Sequence, residues 1–429
     1  MIVLGRRYAD RLVSADEAVA VIDSGSTVAM SGFSSEPMEL VDALVAQADR
    51  LEGVRLIPIN PLREPAYLRP GMEKHFTEIL TLFPGPRLQK AVREGRAGYI
   101  PNHLFLYPAL YGERYLRPDV ALIQVSPPDK YGFCSLGISA DRSLIDAAKV
   151  VVAEMNHMLP RPFGDIFVHV SRLHCFCEVS RPLLPEGGEP IGEIERTIGA
   201  YVAALIPDGG VLQVGRGAIP DAVLEALRDH KDIGIHSGML SDTMVDLVEW
   251  GVITGARKEI DHGKMVSMMA IGTDKIYSFM DQNPLVDMRP ISYTHNASVI
   301  ARLSNFIAIN SAVEVDLRGQ VNAERIGDYQ FAAPGGQPDF VRGASYSPGG
   351  KSIIAIPSTT RDGKVSRIVP MFSAGAMVTT TAAEADYVVT EYGAAELRGR
   401  STLQRAKALV GIAHPRFREE LEAQIPHIL

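Results

Sequence analysis

Four short segments of this 429-residue chain hold residue types and spacings that could carry chemistry. QVGRGAIPDAV (213–223) sets a turn containing Gly215 and Gly217 directly before a helical pattern. A helix N-terminus reached through such a turn presents backbone N–H groups to an anion, either a phosphate or the oxyanion that develops on a carbonyl under attack. A plain strand-to-helix turn has the same spacing, so this segment alone does not decide. PGGQPDFVRGA (334–344) adds the paired glycines Gly335 and Gly336, with Gln337 beside them, as a second source of ligand-facing amides. Its Arg342 can hold an acid group through a two-pronged contact. GIHSGMLSD (234–242) places Gly238 just past an expected strand end, where a catalytic side chain often sits. VTEYG (389–393) places Glu391 at another strand end, as a general base or as a simple turn anchor. Glu36 follows a comparable glycine turn, SGFSSEP (31–37). Met30, Phe33 and Met239 could line an apolar pocket, although a methionine is more often core.

The elements that must position these residues occur twice. SGSTVAMSGFSSEPMELVDAL (24–44) is echoed by DGGVLQVGRGAIPDAVLEAL (208–227): Gly25 matches Gly209, Val28 matches Leu212 and Met30 matches Val214. After a one-residue slip, Pro37 matches Pro220 and Leu44 matches Leu227. Each copy reads as a strand, a turn, then a helix with proline in its first turn. VSPPDKYGFCS (125–135) is echoed by AVEVDLRGQVN (312–322), with Asp129 over Asp316 and Gly132 over Gly319. AAKVVVAEMN (147–156) is echoed by EADYVVTEYG (384–393), with Glu154 over Glu391. Three echoes in one order predict two tandem α/β halves. Between them, β-branched runs such as Val120–Val125 and Phe306–Asn310 alternate with amphipathic runs such as Met38–Asp49 and Ile191–Leu205, which predicts largely parallel sheets covered by helices. The Pro/Gly-rich PLLPEGGEPIG (182–192) marks the boundary, giving domains 1–188 and 189–429. Glu324–Gly350, rich in glycine, reads as a functional loop.

Composition narrows the partners. Apolar residues make up 46% and charged residues 22%, enough for two cores, and a net charge of −8 argues against nucleic acid as the main ligand. Cys134, Cys175 and Cys177 offer no disulfide framework, and the C-x-C pair beside His174 lacks a second ligand pair at zinc spacing, so no metal is expected. MIVLGRRYADRL has no signal-like apolar run and no window has the length of a membrane span, so a cytoplasmic protein without membrane partners is expected. A dinucleotide oxidoreductase is disfavoured, because no G-x-G-x-x-G with a following acidic residue is present.

Several longer segments carry a family resemblance. SPPDKYGFCSLGIS (126–139), VGRGAIPDAVL (214–224), DIGIHSGMLSD (232–242), NSAVEVDLRGQVNAERIG (310–327), GGQPDFVRGA (335–344) and VVTEYGAAELRGRS (388–401) resemble the family I CoA-transferases of the acetyl-CoA hydrolase/transferase group. The likeness extends over nearly the whole chain. It implies two tandem, similar open α/β domains with an active site in the inter-domain cleft. It implies an acyl-CoA and a small carboxylic acid as substrates, coenzyme A being a substrate with no other cofactor, and a homodimer or homotetramer. It implies that the amides at Val214 and Gly336 hold a thioester oxygen.

One position departs from the resembled pattern. Those enzymes carry a nucleophilic glutamate where this chain has Gly238. A glutamate attacks the thioester to give a mixed anhydride, then takes CoA as a glutamyl thioester, and the acceptor acid reverses both steps. Glycine cannot do this. An inactive form, replacement by Glu36 or Glu391, or a water filling the vacated space and hydrolysing acyl-CoA are the readings that follow. Glu314 as nucleophile is disfavoured, since it lies in an apolar alternating stretch and its echo is Pro127. The expected function is CoA transfer between a short-chain acyl-CoA and a carboxylate, with hydrolysis, or CoA binding without turnover, as alternatives.

Overall fold

Strands that are apolar on both faces need helices above and below them, and Val120–Val125, buried along its whole length, is of this kind. A computed structural model describes residues 6–112 and 114–428. The first residues of MIVLGRRYADRL, and whatever they signal, lie outside the described residues. The chain forms two compact units. The first holds the chain up to Glu186 together with Met268–Ser292; the second holds Gly187–Ser267 and Tyr293–Leu429. The chain passes between the two units at 186/187, 267/268 and 292/293.

The first unit is built on a seven-stranded parallel sheet in the order Cys175–Val179, Val150–Asn156, Val120–Val125, Thr27–Met30, Val54–Ile57, Phe76–Thr81, Gly98–Tyr99. In the second unit Gly393–Glu396, Tyr387–Thr390, Lys351–Ala355, Phe306–Asn310, Val211–Val214 and Gly234–Leu240 follow one another across a sheet. Only the edge hairpin of Tyr387–Thr390 with Gly393–Glu396 is antiparallel among the pairings of these six strands. In each unit the strand order reverses at the strand of the first repeated segment (24–44 and its echo 208–227). Thr27–Met30 lies between Val54–Ile57 and Val120–Val125, and Val211–Val214 lies between Gly234–Leu240 and Phe306–Asn310. In open α/β sheets, ligands bind at the carboxyl ends of the strands flanking such a reversal.

The repeat is visible down to single residues. Gly25 and Gly209 both take φ +78°, ahead of equivalent strands. Asp129 Oδ1 accepts the Tyr131 and Phe133 amides at 2.9 and 3.0 Å, and Asp316 Oδ1 accepts the Arg318 and Gln320 amides at 3.0 and 2.8 Å. Gly132 and Gly319 close the two turns with φ of +89° and +90°. Both turns share one cause: a carboxylate collects the amides of a tight reversal that needs glycine in the left-handed region.

Two local expectations change. Glu324–Gly350 is not an extended loop: it contains a short hairpin at Arg325–Ile326 and Tyr329–Gln330 and the helix Gln337–Tyr346. Gly335 and Gly336 form the approach to that helix, and Pro338 sits in its first turn, where its missing N–H costs nothing. The strand expected to end before Gly238 runs Gly234–Leu240, so Gly238 lies within it and not past its end. Among the described residues no helix is long and apolar enough to cross a membrane.

Candidate active site

At the carboxyl side of the second unit's sheet, three segments meet at one imidazole. His295 is 2% exposed, and its ring lies against both Gly238 and Gly336. A Cβ added at Gly238 would stand 3.2 Å from His295 Nε2 and 3.5 Å from the Phe340 ring; one added at Gly336 would stand 2.6 Å from Nε2 and 2.9 Å from Phe340. The His295 and Phe340 rings are 4.5 Å apart. The space beside Gly238, which the sequence left open to a water, is therefore bordered by an imidazole and a phenyl ring. His295 Nδ1 and Thr294 Oγ1 share a hydrogen bond of 2.8 Å. Burial pushes the His295 pKa down to about 3, with His236 nearby adding to the effect, so its imidazole is neutral at ordinary pH.

The glycine turn of 213–217 joins the same neighbourhood through Ser237. Ser237 Oγ accepts the Val214 amide at 3.3 Å and lies 3.2 Å from the Val214 carbonyl, to which it donates. The amide expected to face a thioester oxygen is thus already met by a side chain. Gly336 is the N-cap of Gln337–Tyr346, at the end of a helix that leaves its first amides without intrahelical acceptors. Gly217 is the N-cap of Ala218–Ala226 with φ +126°; Gly215 stands between it and the strand Val211–Val214. Met239 follows Gly238 in the strand and is partly buried. Behind them, His236 Nε2 bonds the Thr294 carbonyl at 3.0 Å, and burial together with Lys258 lowers its pKa to about 4.

Other expected residues are engaged elsewhere. Glu391 accepts from the Ser358 amide at 2.9 Å and from Ser358 Oγ at 2.5 Å, which is the anchoring arrangement. Arg342 grips Glu384 through Nε and Nη2 at 3.1 and 2.8 Å. Gln337 donates to Thr380 Oγ1 at 3.2 Å, and Glu314 accepts from Asn322 at 2.9 Å. Cys177 is buried in the first unit, and Cys175 Sγ lies 3.8 Å from the Ala18 carbonyl.

Glu36 and Phe33 belong to the first unit, at the carboxyl end of Thr27–Met30. Phe33 holds a φ of +54° and its amide bonds the carbonyl of Asn60, itself at φ +41°, at 3.2 Å. Two non-glycine residues in the left-handed region, bonded to each other, mark a strained turn. Glu36 is 5% exposed. Desolvation raises its pKa to about 7 against the opposing pull of Arg63 and Arg181. Sequence reasoning missed His295, Ser237, Phe340, Tyr67, Arg63 and Arg181. They are isolated residues in ordinary segments, and only packing brings them to the glycines and to Glu36.

Comparison with known proteins identifies the family. Residues 4–185 match the acetyl-CoA hydrolase/transferase N-terminal domain and residues 272–425 its C-terminal domain. The chain is 47% identical over 416 residues to the 4-hydroxybutyrate coenzyme A transferase of Clostridium kluyveri, covering 96% of this chain and 97% of that protein. It is 42% identical over 414 residues to the succinyl-CoA:acetate/propanoyl-CoA:succinate CoA transferase of Fasciola hepatica, covering 95% of this chain and 86% of the other. The crystal structure of RipA from Yersinia pestis superposes with a TM-score of 0.92 at 33% identity, over 98% of this chain and 99% of that one.

Proposed function

Because the chain belongs to the acetyl-CoA hydrolase/transferase family, we propose that it moves CoA between a short-chain acyl-CoA and a carboxylate such as acetate. The observation that carries this reading is the convergence of Val214, Gly238 and Gly336 on one spot, tied together by Ser237 and His295. The amides at Val214 and Gly336 are assigned to the thioester oxygen, where donors aimed at developing negative charge lower the barrier. Binding the thioester turns Ser237 Oγ away from the Val214 amide.

With glycine at 238 the protein supplies no carboxylate there, so the acceptor acid must itself be the nucleophile. Its carboxylate attacks the acyl-CoA carbonyl, giving a mixed anhydride and CoA thiolate. The thiolate then attacks the acceptor-derived carbonyl, forming the new thioester and releasing the donor acid. Both acids must be present together, so initial-rate lines at varied acid concentration intersect. Gly238→Glu restores a protein nucleophile: transfer to acetate or butyrate rises by orders of magnitude, the lines become parallel, and a CoA thioester on the enzyme is trapped by borohydride. A glycine enzyme that already transfers CoA with parallel lines and a trapped adduct, and is slowed by the substitution, overturns the assignment of position 238.

A second reading, hydrolysis, is favoured by one observation, the neutral imidazole held against Gly238. Its unprotonated nitrogen can accept a hydrogen bond from a water and hold it against the thioester carbonyl, although a pKa of about 3 makes it a weak base. It requires free-thiol release from acyl-CoA without an acceptor acid, abolished in His295→Gln.

A further inference from the structure

Beside Gly238 and Gly336 one polar atom is fixed in place and unused. His295 Nε2 has no hydrogen-bond partner among the described residues. The nearest ring atoms to a Cβ built at Gly238 would be Nε2 and Cε1, at 3.2 and 3.3 Å; to one built at Gly336 they would be Nε2 and Cδ2, both at 2.6 Å. Nε2 lies between those two carbons in the ring, so it points between the two glycines. The imidazole is buried while both glycines are partly exposed, which places the nitrogen just beneath an accessible spot of the second unit.

The ring is held in that direction. Nδ1 shares a 2.8 Å hydrogen bond with the buried Thr294 Oγ1, and the imidazole packs at 4.5 Å on Phe340, which stacks on Phe306 at 6.2 Å. The Thr294 carbonyl is fixed in turn by His236 Nε2–H at 3.0 Å. A polar atom kept without a partner on a buried side chain is rare because it is costly. Gly336, on the far side of Nε2 from Gly238, caps the helix Gln337–Tyr346, whose positive end favours an anion. A neutral imidazole donates from one nitrogen and accepts at the other, so a Thr294 hydroxyl that donates to Nδ1 puts the proton on Nε2. The complement of an Nε2–H beside a helix N-terminus is a carboxylate oxygen. Any side chain at 238 would begin 3.2 Å from Nε2 and cover it; glycine leaves it open.

We propose that His295 takes over the contact with the reacting acid at this position: with the Thr294 hydroxyl donating to Nδ1, its Nε2–H donates to the carboxylate of the acceptor acid and holds it beside Gly238 for attack on the thioester. Thr294 is then a positioning residue that acts through the tautomer of His295. This role rests on the reading that the acceptor acid is the nucleophile. A neutral donor suits it, because the bond forms without proton transfer and leaves the carboxylate its charge for the attack, while CoA departs as the thiolate. The role differs from the hydrolytic reading by the place of one proton, since there Nε2 accepts and does not donate.

The test is nitrogen NMR of the full chain carrying isotope-labelled histidine, with the His295 signals identified through their contacts with Phe340. Nε2 is expected to be protonated and Nδ1 not, and acetate added without CoA is expected to shift Nε2. Gly238→Ala, checked by circular dichroism for an intact fold, covers Nε2 and abolishes that shift. In transfer assays His295→Phe raises the acceptor KM about tenfold, the scale of one lost hydrogen bond to a charged group, and leaves the acyl-CoA KM within about twofold. Thr294→Val raises the acceptor KM by a smaller factor, and Thr294→Ser restores it. An unprotonated Nε2, no shift with acetate, or a folded His295→Phe protein with an unchanged acceptor KM or equal rises in both KM values overturns the proposal. If His295→Phe does not fold, the labelled wild-type and Gly238→Ala proteins decide. An acetate shift in a protein that transfers no CoA supports the contact and overturns the transfer reading; transfer with intersecting lines that His295→Phe leaves unchanged does the reverse.

Discussion

His295 stands between two glycines that differ in how much room they leave. A methyl group at Gly238 would touch the imidazole at 3.2–3.3 Å, which a shift of a few tenths of an ångström relieves. At Gly336 it would fall 2.6 Å from two ring atoms and 2.9 Å from Phe340. Gly336→Ala must therefore displace a buried ring that is hydrogen-bonded to Thr294 and packed on Phe340. Overpacking of this kind costs about 1–3 kcal/mol. Gly238→Ala should cost clearly less. Denaturant melts of both variants decide this, with the His295 resonance shifting more in Gly336→Ala; equal costs would mean that His295 does not occupy the space between them. Gly336 is thus required for space, and Gly238 is a position where a side chain can be restored. That asymmetry makes Gly238→Glu a usable probe, and it makes Gly336 a poor place to test an oxyanion donor by adding bulk.

The recurring element is a strand, a carboxylate-centred turn and a glycine at its close. Asp316 is 1% exposed and accepts the Arg318 and Gln320 amides as well as the Gln320 side chain at 2.7 Å. Asp129 makes the first two bonds but is more exposed. Removing the buried carboxylate leaves amides without acceptors, at about 1–3 kcal/mol for each group left unsatisfied. Asp316→Ala is expected to lose several kcal/mol in urea unfolding, and Asp129→Ala appreciably less because water can replace its carboxylate. Similar losses at both positions would show that burial does not set the cost. Glu391 and Glu154 show how far two copies of an element can diverge. The first anchors Ser358, and the second braces Arg181 in the frame around Glu36.

For the whole molecule, buried titratable groups set an acid limit. His236 and His295 hold folded-state pKa values of about 4 and about 3, below the unfolded value near 6.5. The unfolded chain therefore binds protons first as pH falls below 6.5, and stability falls with it, by roughly 1.4 kcal/mol per pH unit for each histidine. Glu36 works in the opposite sense. Its pKa of about 7 lies above the unfolded value of 4.5, so its contribution is fully present below pH 4.5 and is lost as pH rises to 7. Glu36→Gln should therefore be the more stable form at pH 8 and close to wild type at pH 4.5. Replacing both histidines with glutamine should flatten the fall in melting temperature between pH 6.5 and 4.5. A melting curve insensitive to these changes over pH 4.5–8 would contradict the burial assigned to all three groups.

The sequence by itself determined the tandem α/β architecture, because a β-branched run, a left-handed glycine and a proline-started helix leave a local signature wherever they occur. Val120–Val125 and Phe306–Asn310 are strands at the residues where the patterns place them. It also singled out Gly336, since paired glycines ahead of a helix are a local feature, while Val214 as a donor and Gly238 as the place of a missing nucleophile followed only from the family likeness of the longer motifs. Where one such element ends is weaker in sequence: Gly238 reads as a terminator, yet its strand continues to Leu240. Other matters were settled only by tertiary structure. The pairing of Val286–Met288 with Phe163–Gly164 joins strands more than a hundred residues apart, which no local pattern announces. Arg342 and Glu391 spend their charges on Glu384 and Ser358, partners 42 and 33 residues away. His295 beside the glycines, and Tyr67, Arg63 and Arg181 around Glu36, carry no spacing that could announce them. Their chemistry arises from burial and from neighbours that meet only once the sheets have formed.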